Sequence, residues 1–296
     1  MTAKLIDGKK IAQDIRDEWK VRVDNLKKQG IHPGLGVIIV GNDPASRVYV
    51  GNKTKACESV GINSKEIELA ETISEAELLQ EIDKLNKDPS INGILVQLPL
   101  PKQIDVNKVL GAISAEKDVD GFHLYNMGAL VTGNMIFPPC TPYGIKCLID
   151  STNIDVEGKN AVVVGSSNIV GKPMALMLLA MNATVSICNI YTYYLTQYTS
   201  LADILVVATG VPGLIKKEMV KPGAVVIDVG INRLADGRLV GDVDFDGVKE
   251  VASYITPVPG GVGPMTITML LVNTIVSAER ANGINNPENI FKLKAE

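Results

Sequence analysis

Short apolar runs, each bounded by glycine, proline or polar residues, limit what this chain can fold into. Gly34 to Gly41 encloses Leu-Gly-Val-Ile-Ile-Val, and Ile94–Leu98 ends in a pair of prolines. Ala161–Val164, Ala183–Cys188, Ile204–Ala208 and Ala224–Val229 repeat the theme, with residues 63–69 a further candidate. Runs of four to eight β-branched and aliphatic residues between turn signals read as buried strands. The segments between them carry helical spacing. Residues 9–29 place Ile11, Ile15, Trp19, Val23 and Leu26 on one face, and Ser74 with Glu77 forms a capping box for a helix to about Lys87. Strands alternating with helices predict an α/β fold built on parallel sheets.

A length of 296 residues suits one large or two medium domains. The stretch 121–142 is rich in glycine, proline and polar residues, and the strand–helix pattern restarts after it. It marks a boundary, with residues 1–140 as one domain and 141–296 as the other. Asp236-Gly237 signals a hairpin. An apolar helix is expected from about Gly263 to Ala281, and the polar tail Asn282–Glu296 is expected to fray.

Composition excludes several classes. A net charge of −4 gives no footprint for nucleic acid or an anionic membrane. The first ten residues lack an apolar signal region, and the longest apolar helix candidate, Met174–Met181, is too short to span a bilayer. Cys57, Cys140, Cys147 and Cys188 are scattered, and His32 and His123 are the two histidines. No disulfide framework and no metal are expected, and a reducing cytoplasm is the simplest setting.

Chemistry-bearing residues cluster in five motifs. In Asp43-Pro44-Ala-Ser46-Arg-Val-Tyr49-Val-Gly-Asn-Lys53, Pro44 can open a helix that projects Ser46, Tyr49 and Lys53 from one face. Lys55 falls off that face, where it can pair with Glu58. Gln97 is an amide inside an apolar run. Lys117-Asp-Val-Asp120-Gly is an acidic turn, and Pro257-Val-Pro259-Gly260-Gly261-Val262-Gly-Pro264 is a rigid lead-in to a helix. Gly165-Ser166-Ser167-Asn-Ile-Val-Gly171 joins a strand to a helix, where backbone N–H groups and the helix dipole favour a phosphate. Read singly, each motif also has an ordinary role: a solvated lysine, a core tyrosine, a turn-forming Asp-Gly, a plain strand–helix turn.

Together, and in this order, the five motifs closely resemble the bifunctional methylenetetrahydrofolate dehydrogenase/methenyltetrahydrofolate cyclohydrolase family, from about Leu5 to about Glu279. The resemblance implies a folate domain and a Rossmann-like dinucleotide domain with a cleft between them, the 263–281 helix packing back on the first. It implies oxidation of 5,10-methylenetetrahydrofolate by NAD(P), then hydrolysis to 10-formyltetrahydrofolate, by a homodimer whose partners are tetrahydrofolate derivatives. Lys53 is then the catalytic base, Gln97 sets its protonation, and Tyr49 orients substrate. Asp120 grips the pterin, while Ser46, Pro259, Gly260, Gly261 and Val262 line the folate site. Gly165, Ser166, Ser167, Ile190, Ile231 and Thr141 face the dinucleotide.

Two departures concern the cofactor. The family commonly has Gly-Arg-Ser at the turn and Cys-His-Ser-Lys/Arg-Thr after the second nucleotide strand. This chain has Gly165-Ser166-Ser167 and Cys188-Asn189-Ile190-Tyr191-Thr192, with no Lys, Arg or His from Asn182 to Ala202. NADP is the family default, and NAD stands beside it as the alternative. The rival functions are a cyclohydrolase with an impaired dehydrogenase half, a folate or nucleotide sensor, and an unrelated two-domain dehydrogenase.

Overall fold

The computed structural model describes residues 2–284. In chain order the elements are β1 (Lys4–Leu5), α1 (Gly8–Lys28), β2 (Gly34–Val40), α2 (Pro44–Val60), β3 (Asn63–Leu69), α3 (Glu75–Lys87), β4 (Gly93–Val96), α4 (Val106–Ala112), α5 (Leu124–Val131) and α6 (Cys140–Asp150). There follow β5 (Asn160–Val164), α7 (Gly171–Ala180), β6 (Thr184–Cys188), α8 (Leu195–Thr199), β7 (Ile204–Val207), β8 (Val225–Asp228), β9 (Asn232–Arg233), β10 (Leu239–Val240), α9 (Phe245–Val248), β11 (Tyr254–Ile255) and α10 (Val262–Ala281). The chain forms two compact units. One holds residues 14–140 and continues from Ile267 onward; the other holds the stretch up to Gln13 and residues 141–266.

The unit holding residues 14–140 is built on a three-stranded parallel sheet, order β3-β2-β4. All seven residues of the central strand β2 are buried, which accounts for its uninterrupted apolar run. The edge strand β3 alternates Lys and Glu with Ile67 and Leu69. Ile38, Ile94 and Val96 pack against Leu78, Ile82 and Leu85 of α3. That helix starts where the sequence predicts, with Ser74 and Glu77 exchanging capping hydrogen bonds. The start of α2 is fixed by Pro44 in its first turn and by the Asp43 carboxylate, which accepts the Ser46 N–H at 2.8 Å. Its end is fixed by Gly61, in the left-handed region at φ 86°.

The other unit carries a six-stranded sheet, order β1-β11-β8-β7-β5-β6, with every pairing parallel. The order reverses at β5, which is flanked by β6 on one side and β7 on the other. That is the switch point at which open α/β sheets bind ligands, beyond the carboxyl ends of their strands. The hairpin signal at Asp236-Gly237 lies between β9 and β10, which pair antiparallel.

Four features differ from the sequence reading. The units are not two continuous stretches, because β1 pairs with β11. A two-residue strand carries no periodicity by which sequence could find it. Region 121–142 is not merely a connector. It contains α5, where His123 Nδ1 accepts the Tyr125 N–H, and the first residues of α6. The longest apolar helix is α10, not Met174–Met181. Its 20 residues are long and apolar enough to cross a membrane, but 78% of that stretch is buried inside the protein, as in a core helix. Lys55 is exposed and makes no ion pair with Glu58. Of the tail expected to fray, Asn282–Ile284 are described, with Ile284 N–H bonded to the Glu279 carbonyl; residues 285–296 lie outside the described residues.

From α10, the buried Asn273 donates to the carbonyls of Val119 (2.8 Å) and Pro138 (2.9 Å). It thereby ties down the turn that carries Asp120. Asn273→Leu removes the amide donor from both carbonyls, leaving Pro138 unpaired and Val119 with only the weak Cys140 thiol donor at 3.2 Å, at about 1–3 kcal/mol for each lost bond. A loss of about 2–4 kcal/mol in equilibrium denaturation is expected. An unchanged midpoint would show that those carbonyls find other donors.

Candidate active site

The 17-residue helix α2 does what its spacing predicts. Ser46 and Lys53 are buried, Tyr49 is half-buried, and Lys55 on another face is exposed. Lys53 is 6% exposed, unusual for a lysine. Its ammonium donates to Gln97 Oε1 at 3.0 Å and lies 4.8 Å from the Tyr49 ring centroid, within cation–π range. Gln97 sits just beyond β4, and its own Nε2 donates to the Leu98 carbonyl at 2.6 Å. That bond orients the amide with its oxygen toward the lysine. The Leu98–Pro99 peptide that follows is cis.

Electrostatics oppose one another at this lysine. Burial pulls the Lys53 pKa below its ordinary value, and Asp120 pulls the other way. Burial in turn pushes the Asp120 carboxyl up to about 6, against the favourable Lys53 charge and with a smaller push from Asp118. The Cys140 thiol donates to the Val119 carbonyl at 3.2 Å, and burial, with Asp120 nearby, raises its pKa well above that of a normal thiol. Cys140 and Cys57 are therefore neutral neighbours of the lysine. Asp118 carries no signal of its own in the sequence, although it lies in the same acidic turn as Asp120. It is 1% exposed and accepts from Phe122 N–H (3.2 Å), His123 N–H (2.7 Å) and Asn126 Nδ2 (2.8 Å). It closes the turn on which Asp120 is displayed.

Lys53, Tyr49, Gln97, Asp120 and Ser46 thus all belong to the unit holding residues 14–140. The remaining candidates belong to the other. Pro259, after a second cis peptide bond, leads into Gly260 at φ 109°. This loop is clamped to the start of α1: Lys9 N–H donates to the Gly260 carbonyl, and a Cβ on Gly8 would collide with the Gly261 carbonyl. Val262 is buried at the start of α10, where Thr141 and Thr266 share a hydroxyl–hydroxyl bond of 3.0 Å. Ile231 is 54% exposed and lies against Gly263.

Gly165 ends β5 at φ 121°, and a Cβ there would collide with the Ala208 carbonyl at the end of β7. Gly171 is held as tightly against the Gly165 carbonyl. Glycine is required at both because backbone replaces side chain in the turn. Ser167 Oγ accepts the Val170 and Gly171 N–H groups at 3.2 and 3.4 Å. An open turn of this kind, at the switch point and before a helix, suits a pyrophosphate. After β6, Asn189 and Thr192 close the next loop on itself: Asn189 N–H donates to Thr192 Oγ1 and Asn189 Oδ1 accepts the Tyr191 N–H. Ile190 projects 92% exposed.

Two family models match the chain in turn. Residues 6–120 match the tetrahydrofolate dehydrogenase/cyclohydrolase catalytic domain, and residues 139–282 its NAD(P)-binding domain. The chain belongs to the tetrahydrofolate dehydrogenase/cyclohydrolase family. It is 60% identical over 282 residues to the bifunctional protein FolD of Nitrosospira multiformis, covering 95% of this chain and 98% of that protein. The crystal structure of the bifunctional enzyme FolD from Campylobacter jejuni superposes with a TM-score of 0.92 at 52% identity, over 94% of this chain and 99% of that one. The FolD of Trypanosoma brucei, complexed with NADP cofactor and inhibitor, gives 0.92 at 38% identity, over 95% and 99%. A nicotinamide cofactor and an α/β fold of two domains follow from this membership.

The charge coupling in this FolD-like site has a checkable sign. Asp120 raises the Lys53 pKa, so its removal must lower it. In Asp120→Asn, side-chain lysine NMR should show Lys53 losing its proton at lower pH than in the parent protein. A shift to higher pH would mean that the carboxylate does not face the amine.

Proposed function

We propose that the chain oxidises 5,10-methylenetetrahydrofolate to the 5,10-methenyl cation and hydrolyses that cation to 10-formyltetrahydrofolate, with Lys53 as the proton acceptor. The observation that carries the assignment is a buried lysine whose amine is fixed by an oriented amide. Bound NAD(P) supplies the hydride acceptor. Hydride transfer asks no acid or base of the protein, only that the reacting rings be held near contact distance. Water attack on the methenyl carbon does require proton removal. Desolvation makes Lys53 a stronger candidate for that work than a solvated lysine, because its neutral form is reached at lower pH. Loss of the N5–carbon bond then leaves the formyl group on N10, and N5 regains a proton. Tyr49 offers a ring face and a hydroxyl on the same helical stripe. Asp120 offers a carboxylate for the two N–H donors of the amino-pyrimidine edge. Ser46 and the Pro259–Val262 loop line the folate, while Gly165–Ser167, Ile190, Ile231 and Thr141 face the dinucleotide. Hydrolysis alone is not favoured: the FolD relatives, bifunctional by name, match the full chain, nucleotide half included. We place the enzyme in a reducing cytoplasm, in keeping with its free cysteines, and as a homodimer, as the family resemblance implies.

For the base assignment, Lys53→Met should lower methenyl hydrolysis by about 10²–10⁴-fold while circular dichroism remains that of the parent. Lys55→Met, altered two residues away on an exposed face, should be silent. Full hydrolysis by a folded Lys53→Met protein would remove the lysine from the mechanism.

The cofactor reading goes beyond the family. A 2′-phosphate normally takes an Arg or Lys fork. Here Ser166 stands in the turn, the Asn189–Thr192 loop satisfies its own polar groups, and Lys172 Nζ is bonded to Asn168 Oδ1 at 2.7 Å. Losing one charged hydrogen bond costs about 1.5–3 kcal/mol, roughly ten- to hundredfold in affinity. NAD should therefore be used comparably to NADP or better, measured as parallel KM values. Ser166→Arg should strengthen NADP use selectively, by about tenfold. A tenfold or greater preference for NADP in the unaltered enzyme would reveal a phosphate-binding group elsewhere.

A further inference from the structure

Two buried carboxylates lie side by side at the carboxyl rim of the six-stranded sheet, and the reaction uses neither. Asp242 is fully buried and Asp228 is 3% exposed. No cation among the described residues bonds either one. Their acceptor capacity is instead filled by backbone and amide donors from separate loops. Asp242 Oδ2 accepts the Thr209 N–H (2.6 Å), the Thr209 hydroxyl (3.0 Å) and the Gly210 N–H (2.9 Å), all just after β7. Its Oδ1 accepts Asn232 Nδ2 at 2.8 Å, from β9. Asp228, ending β8, accepts from Gly230 N–H (3.0 Å), Asp242 N–H (2.9 Å) and Val243 N–H (2.9 Å). The packing is reciprocal. A Cβ on Gly230 would collide with the Asp242 carboxylate, and a Cβ on Gly241 with that of Asp228.

We infer that this interlocked pair positions the dinucleotide site, with Asp242 as the positioning residue. The inference rests on the reading that the Gly165 turn and Ile231 face the dinucleotide. Its physical basis is a chain of contacts. Gly165 is packed on the Ala208 carbonyl, Thr209 and Gly210 follow directly, Asp242 holds both, and Gly230, fitted against Asp242, leads into Ile231. One carboxylate therefore sets the relative placement of three strand ends. The backbone N–H groups it consumes are fixed before any ligand arrives, which is what preorganisation of a binding site requires. A buried carboxylate satisfied by neutral donors from backbone N–H, hydroxyl and amide groups also costs stability unless every bond is kept, so a shift in any of the loops is resisted by all of them.

The test compares Asp242→Ala with Asp242→Asn, using dinucleotide-independent methenyl hydrolysis as the internal control. Asp242→Ala should raise the KM for the preferred dinucleotide tenfold or more and leave hydrolysis within twofold. Asp242→Asn should stay within threefold of the parent KM. Its amide oxygen can still accept from Thr209 and Gly210, and the Asn232 amide can turn to meet its nitrogen. If Asp242→Ala is too unstable to assay, Asn232→Ala, at the edge of the β9–β10 ladder, should raise the dinucleotide KM threefold or more with hydrolysis unchanged. A parent-like KM in Asp242→Ala, or in Asn232→Ala where that variant stands in, overturns the inference. So does a parallel fall of hydrolysis, dehydrogenation and thermal midpoint in Asp242→Ala, which is the mark of a purely structural residue. Saturation of the unaltered enzyme by NAD or NADP is measured first. Its absence would sink the dinucleotide reading itself, whereas saturation with an indifferent Asp242→Ala sinks only the positioning role.

Discussion

The desolvation of one amine organises the folate-side unit. A lysine in water is protonated at neutral pH, with a pKa of about 10.4, and a protonated amine accepts nothing. Carrying Lys53 into the protein on α2 lowers its affinity for a proton, and everything around it serves that placement. Asp43, Pro44 and Gly61 fix where the helix begins and ends, and therefore which face looks inward. Gln97, held by its bond to the Leu98 carbonyl, gives the ammonium one good acceptor. The Asp120 carboxylate supplies the opposing charge that offsets part of that loss of proton affinity.

That arrangement costs stability. The folded protein holds the Asp120 proton more tightly than an unfolded chain does, with the carboxyl pushed up to about 6. The sign follows from proton linkage: between about pH 4 and 6 this group makes the fold less stable as pH rises. Lys53 has the opposite pH dependence: its lowered pKa makes the folded state the poorer proton binder, so its cost to the fold is present while the amine is protonated and is relieved as pH rises toward the ordinary lysine value. Such mutual strain is bearable because the turn carrying Asp120 is over-determined. Asp118 closes it with three hydrogen bonds, and Asn273 anchors the adjoining Val119 carbonyl from α10.

Much of this was legible because it is local. Ser46, Tyr49 and Lys53 share a helix, so their common face follows from 3.6-residue periodicity alone. The capping box at Ser74 and Glu77 and the hairpin at Asp236-Gly237 are likewise local. What escaped the sequence depends on partners far away in the chain. β1 is a two-residue strand that exists because β11, some 250 residues later, offers a parallel edge. Asp242 and Asp228 look like ordinary turn aspartates until Gly230, Gly241 and Thr209 are seen around them. Asp118 was hidden by its neighbour Asp120, because a carboxylate that only closes a turn and one that faces a ligand have the same spelling. A signal did exist for the aspartate pair: glycines placed directly before Ile231 and Asp242 in a region of apolar strands mark close backbone approach.

The two ends of the reaction differ in how much change they tolerate, and the residues reflect it. A proton acceptor acts in the transition state, so its identity, burial and hydrogen bonding all bear on the chemical step. On the proposed mechanism, Lys53 could not become another residue without losing that step. The adenosine end of a dinucleotide is remote from the reacting carbon, and contacts there stabilise ground state and transition state alike. Altering them changes how much cofactor is needed rather than how fast bound cofactor reacts. On the proposed reading, Ser166, Asn189, Ile190 and Tyr191 belong to that end. An uncharged turn and a self-satisfied loop can replace a cationic fork there while the pyrophosphate turn at Gly165, fixed by backbone packing on Ala208, stays as it is. On that reading the departures from the family fall where binding is uniform, and the intact residues fall where it must be differential.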